Sequence, residues 1–148
     1  MIVRYLGCAI AALMAAAPAV HAFEFAPVKP MNVTEVSPEL LADIYGAWEI
    51  RDKSGRKRCR IVLSKETTIG GHAIEVASAC AKQFPVMADI SAWRLQEGWT
   101  IDLADPLRKT RLRFSTPDNR YIAQGDPKDV ADIDELRKLP DAKPAKKK

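Results

Sequence analysis

Histidine is nearly missing from this chain, with two in 148 residues. His21 sits at the end of an apolar N-terminal run, so only His72 lies beyond that run. Cysteine is almost as scarce: Cys8, Cys59 and Cys80. One histidine and two cysteines cannot fill the four positions of a structural zinc site. A Ser–His or Cys–His catalytic pair would have to use His72, and no serine near it sits in a strand–turn–helix elbow. His72 follows Gly70-Gly71 at a loop-to-strand junction and reads as an ordinary surface residue. The seven glycines form neither a phosphate loop nor a dinucleotide fingerprint. Carboxylate pairs for acid–base work remain open, but Asp102 and Asp105 read as a strand's outer face and a turn. No catalytic set, no metal site and no cofactor is expected, and the chain does not read as an enzyme.

Charge of one sign is also lacking. The formal net charge is +4, and Arg4 is the only charged residue before Glu24. Nucleic-acid binding needs a clustered basic face with aromatics among it, and a mild excess does not provide one. Lys109, Arg111 and Arg113 do alternate along one strand. They read as a solvated outer face, with a docking patch for an acidic partner as the sharper alternative.

Only one long apolar run is present, Leu6 to Val20. It falls short of the ~20 residues of a comfortable membrane span. Val20-His21-Ala22 then offers small residues where a signal peptidase cuts. Residues 1–22 are therefore expected to be a cleaved export signal, with cleavage after Ala19 as a second option. A retained anchor is the alternative. Cys8 lies inside the run rather than after it, which argues against a lipid-modified cysteine. The expected address is the periplasm, with no stable membrane span after cleavage. Two cysteines then remain. An even count in an oxidising compartment reads as a Cys59–Cys80 disulfide, against two free thiols as the alternative.

Residues 23–36 have no helical period, and Pro27 and Pro30 bias them toward extended geometry. Ser37 stands where an N-cap belongs, with Pro38 at the first helical position and Glu39 in the first turn. Leu40, Leu41 and Ile44 give this short helix one apolar face, and Gly46 ends it. From there the period changes to two. Trp48 and Ile50, then Cys59, Ile61 and Leu63, then Ile74, Val76 and Cys80 fall on the apolar parity. Trp93 and Leu95, then Trp99, Ile101 and Leu103, then Leu112 and Phe114, then Tyr121 and Ile122 continue it. About seven short strands with frequent turn signals suggest an antiparallel barrel or sandwich. Trp48, Trp93 and Trp99 read as core rather than as a ligand box. Beyond Gly125 the pattern stops: residues 128–139 form a weak helix at most, and 140–148 are Pro, Ala and Lys, a composition that predicts disorder. The expected division is 1–22 signal, 23–36 arm, 37–125 barrel domain and 126–148 charged tail.

Gly46-Ala47-Trp48 after a short helix, Cys59 with Ile61 and Leu63, and Cys80 about twenty residues on resemble a known family. Trp93, the Gly98–Leu103 strand with its Asp105 turn, Phe114 and Asn119-Arg120-Tyr121 come in the same order. Over about residues 37–124 this is similar to the periplasmic inhibitors of serralysin-type zinc metalloproteases, including related outer-membrane lipoprotein domains. The resemblance implies an all-β, up-and-down antiparallel barrel of about eight strands with one disulfide and a short N-terminal helix. Gly46, Trp48, Trp93, Phe114 and Tyr121 would be its structural residues. It also implies that the arm enters the protease cleft with its α-amine near the zinc. Phe23, Glu24, Phe25, Ala26 and Pro27 would be the inhibitory residues, although they match the family in position and not in motif. The partner implied is a secreted zinc metalloprotease, bound by a monomer. A periplasmic binding or envelope-structural barrel without inhibitory activity is the alternative.

Overall fold

The two-residue alternation buries one face of each strand only if neighbouring strands close on one another, and they do. The computed structural model describes residues 22–141. The expected export signal, apart from Ala22, and the basic end from Ala142 lie outside the described residues. Eight strands run in order: β1 Gly46–Arg51, β2 Arg58–Thr68, β3 Gly71–Val76, β4 Ala92–Gln96, β5 Thr100–Ala104, β6 Thr110–Ser115, β7 Tyr121–Gly125 and β8 Glu135–Lys138. Each pairs antiparallel with the next, and β8 returns to β1, so the barrel is closed. The expected up-and-down barrel with one disulfide is the fold of this protein.

Its interior is packed with side chains. Ile50, Ile61, Leu63, Ile101, Leu103, Leu112 and Phe114 are fully buried on the parity that the sequence indicates. Trp48 and Trp93 are buried too, and each indole N–H finds a carbonyl: Trp48 donates to Ile44 at 2.7 Å and Trp93 to Ser64 at 2.9 Å. Tyr121 stacks edge-on against Trp48 with centroids 5.3 Å apart. Burial pushes its hydroxyl above the usual phenol range. Trp99 departs from the expectation. It sits half-buried in the β4–β5 turn at φ +59°, not inside a strand.

Helix α1, Pro38–Ala42, starts as the sequence dictates, with the Ser37 hydroxyl accepting from Leu40 N–H at 3.4 Å. Cys59 and Cys80 are joined. Cys80 is not on the third strand, however. That strand stops at Val76, and Cys80 opens the four-residue helix α2, Cys80–Gln83. The turn at Ala77, whose carbonyl accepts from Cys80 N–H at 2.9 Å, swings the sulfur back onto β2. Replacing both cysteines with alanine is expected to cost about 3 kcal/mol in chemical denaturation, the size of a loop of this length. A loss below 1 kcal/mol would show that barrel closure alone fixes this corner.

The C-terminal part differs most from expectation. Helix α3 covers only Pro127–Val130, capped by Asp126, and Glu135–Lys138 then forms β8. The barrel thus extends past residue 125. Leu136 is the one buried apolar side chain of β8. Lys138 is the cross-strand partner of Trp48. Its ammonium donates to the Tyr45 carbonyl and lies 5.2 Å from the Trp48 ring centroid. Burial there lowers the Lys138 pKa.

Candidate functional site

Pro27 and Pro30 lack the N–H that a central strand needs, so the arm can pair on one side only. It does so at its base. Met31 N–H donates to the Leu95 carbonyl at 3.1 Å, and Glu97 N–H donates to the Lys29 carbonyl at 2.8 Å. Pro30 stands opposite Gln96 in an antiparallel bridge. This is the end of β4 that β3 leaves unpaired, because β3 meets β4 only at Trp93 and Ala92. Val33–Glu35 then coil into a 3-10 turn before α1, so the arm is extended only up to Met31.

Toward its tip the arm lies on the outer face of the barrel. Arg113 of β6 and Asp102 of β5 are cross-strand partners on the parity opposite to the core. Their side chains form a fork: Nε to Oδ1 at 2.7 Å and Nη2 to Oδ2 at 2.9 Å. Gln96 Nε2 at 3.2 Å and Thr110 Oγ1 at 3.3 Å complete the carboxylate's partners. The remaining guanidinium nitrogen, Nη1, donates to the Ala26 carbonyl at 2.6 Å. The Phe25 ring lies over the same guanidinium, 4.8 Å from centroid to carbon, and Phe23 meets Phe25 edge-on at 4.9 Å. Under this cover Asp102 is 1 % and Arg113 7 % exposed. Glu24, Ala26 and Pro27 are exposed, while Phe25 is half-buried.

Arg111 is engaged as well. Asp129 accepts from its Nε and Nη2 at 2.9 and 3.1 Å, and Asp89 from Nη1 at 3.2 Å. These carboxylates hold the guanidinium far above any accessible deprotonation. The Lys109–Arg111–Arg113 stripe is therefore no solvated face: two of its three charges are spent within the protein. Beside it, Phe23, Phe25, Leu107, Lys109, Thr110 and Arg111 border a shallow cavity of about 350 Å³.

Of the five arm residues singled out in the sequence, Phe25 and Ala26 rest on Arg113 at the outer face of the barrel and Phe23 packs on Phe25, while Glu24 and Pro27 are exposed. Gly46, Trp48, Cys59, Cys80, Trp93, Phe114 and Tyr121 do not join them; they belong to the barrel wall and its interior. Asp102 and Arg113, which seat the arm, are not legible as a pair in the sequence. Two opposite charges on outward positions of successive strands signal a seat only once the register is known. His72 is half-buried against Trp93 at 5.1 Å, with Nδ1 3.1 Å from the Lys65 carbonyl. Among the described residues no group of three or more His, Cys, Asp or Glu side chains converges as metal ligands would.

What such a site offers is a short extended peptide held at its base by backbone pairing and at its middle by one arginine. No curated protein matches this chain. Residues 39–131 match the model of the family described as Protease inhibitor Inh. That stretch is most of the barrel and more than half of the chain, so this protein belongs to the Protease inhibitor Inh family.

Proposed function

We propose that this protein is a periplasmic inhibitor of a serralysin-type zinc metalloprotease, acting through its N-terminal arm. Family membership supports inhibition of a protease. The metal class and the mechanism rest on the resemblance of residues 37–124 and on the arm's geometry. One observation carries it: the arm is paired to β4 from Lys29 to Met31, while the stretch from Phe23 to Val28 is held by little beyond Arg113. A closed barrel is a rigid base for such a segment, and pre-extension by two prolines reduces the entropy lost on insertion. A terminal amine has a pKa of about 7.7–8.0, so an uncharged fraction exists near neutral pH. The zinc of a protease keeps an open fourth position for such a ligand. For insertion, the Ala26 carbonyl must leave Arg113.

That same seat favours a second reading, in which the arm stays down and the barrel is an envelope protein without inhibitory activity. Protein exported to the periplasm, with its N-terminus verified by intact mass, separates the two. Assayed against a zinc endopeptidase, a serine protease and a cysteine protease, it should inhibit the zinc enzyme alone. Inhibition of none supports the second reading, and inhibition of the serine enzyme overturns the metal-directed mechanism.

A further inference from the structure

Four polar side chains on the outward parity of β4, β5 and β6 are buried: Gln96 is 6 %, Thr100 7 %, Asp102 1 % and Arg113 7 % exposed. Outward positions of a barrel face water unless something lies over them, and here the arm does. Pro30 bridges to Gln96, while Ala26 and Phe25 rest on Arg113. The arm is held in two different ways. From Lys29 to Met31 it is held by backbone pairing with the end of β4, through Glu97 N–H and Met31 N–H. Ahead of Lys29 the hold passes to the Arg113 guanidinium, which takes one carbonyl and one ring. From Phe23 to Val28 only Phe25 is half-buried, and the other residues are exposed. The arm thus has a pivot at Val28, with a fixed base behind it and a lightly held tip ahead.

The seat does not need the tip to stay assembled. Asp102 takes Nε and Nη2 of Arg113, and Gln96 and Thr110 donate to the same carboxylate. Releasing Ala26 therefore leaves the ion pair formed and frees Nη1 alone, which water can then reach. Seating also carries a cost. Gln96 Oε1 is buried and has no hydrogen-bond partner among the described residues, and an unsatisfied buried acceptor is destabilising. Lifting the tip lets water into this group of side chains. One charge-assisted hydrogen bond and one ring contact are thus set against an unpaired acceptor on the same face. Such opposing terms are what allows two arm positions of similar free energy.

We propose that the Arg113 seat is an autoinhibitory latch: the arm resting on it is withheld from the protease, and only molecules with Phe23–Val28 lifted off the guanidinium can inhibit. This rests on the inhibitor function above. A segment lying on the barrel cannot also lie in a cleft, so the measured affinity is the intrinsic one reduced by the fraction of arms released. Once released, the six residues from Phe23 to Val28 reach up to about 20 Å from the pivot. The pairing of Lys29 and Met31 with β4 survives release, so the freed arm still projects from one fixed point of the barrel.

The test compares the mature wild type with Asp102→Asn plus Arg113→Gln, which removes the guanidinium and leaves no buried charge behind. Backbone amide relaxation by NMR reads the latch with no protease present. In the wild type the amides of Phe25 and Ala26 should be as rigid as those of the barrel. In the double variant they should move on the nanosecond timescale, while Met31 and the barrel stay ordered. Against a serralysin-type zinc endopeptidase, the freed arm should lower the inhibition constant about threefold or more. Arg113→Lys, which keeps a cation opposite Asp102, carries the same comparison if the double variant melts early. Wild-type arm amides that are already mobile overturn the latch. So does a freed arm that inhibits no better than the seated one, and in that case the arm-based function stands. Inhibition by the freed-arm variants alone supports latch and function together. If neither the wild type nor a freed-arm variant inhibits, the inhibitor function falls and the latch falls with it.

Discussion

Arg113→Ala is expected to lower the free energy of unfolding by about 3–5 kcal/mol, the usual cost of removing one partner from a buried ion pair. Asp102 is the reason. Its carboxylate is 1 % exposed, and without Arg113 it keeps only Gln96 and Thr110 as side-chain donors. Two neutral donors do not compensate a buried negative charge. Adding Asp102→Asn to the same chain should recover part of the loss, because the stranded charge is then gone. The arm reports separately. With the Ala26 carbonyl and the Phe25 ring released, chymotryptic cleavage after Phe25 should accelerate well before the barrel unfolds. A stability loss under 1 kcal/mol, a value typical of surface sites, would show that solvent reaches Asp102 and that the arm does not seal this face. Unchanged cleavage would show that the pairing of Lys29 and Met31 with β4 holds the arm unaided.

The parts of the molecule that depend on local pattern are the legible ones. Alternation from Gly46 to Phe114 needs no knowledge of partners: Ile50, Ile61, Leu103 and Leu112 point inward because their neighbours in sequence do not. The Ser37-Pro38-Glu39 helix start is equally local. The illegible parts depend on pairing. Strand β8 is hidden because Lys138, on the inward parity, breaks the alternation; only the Tyr45 carbonyl and the Trp48 ring make that position acceptable. Cys80 fits the parity of a strand, whereas the Ala77 turn delivers it by another route. Arg111 and Arg113 read as solvated for a related reason. Their acidic partners, Asp129 and Asp102, are 18 and 11 residues away in sequence. The arm's extended course comes from Pro27 and Pro30, but its seat depends on the outward positions of β5 and β6, which become neighbours only in the closed barrel.

Removing Phe23–Pro27 and adding two residues before Phe23 are expected to weaken inhibition by different routes, and together they decide the mechanism. Deletion takes away the inserted peptide and no core residue, since none of these side chains is in the barrel interior. If the arm is a hot spot worth at least ~2 kcal/mol, the inhibition constant should rise about thirtyfold or more. Extension keeps every side chain but displaces the amine by up to about 7 Å along an extended chain. A zinc ligand must come within about 2.1 Å of the metal, so an amine–zinc mechanism predicts a loss comparable to deletion. That mechanism also fixes a pH dependence. Only the neutral amine binds, so the affinity difference between native and extended arms should shrink as pH falls below about 7.7, where protonation claims the amine. If deletion weakens inhibition while extension does not, the arm acts by filling the cleft and the metal is not a partner. If neither matters and melting is unchanged, affinity must come from the barrel itself.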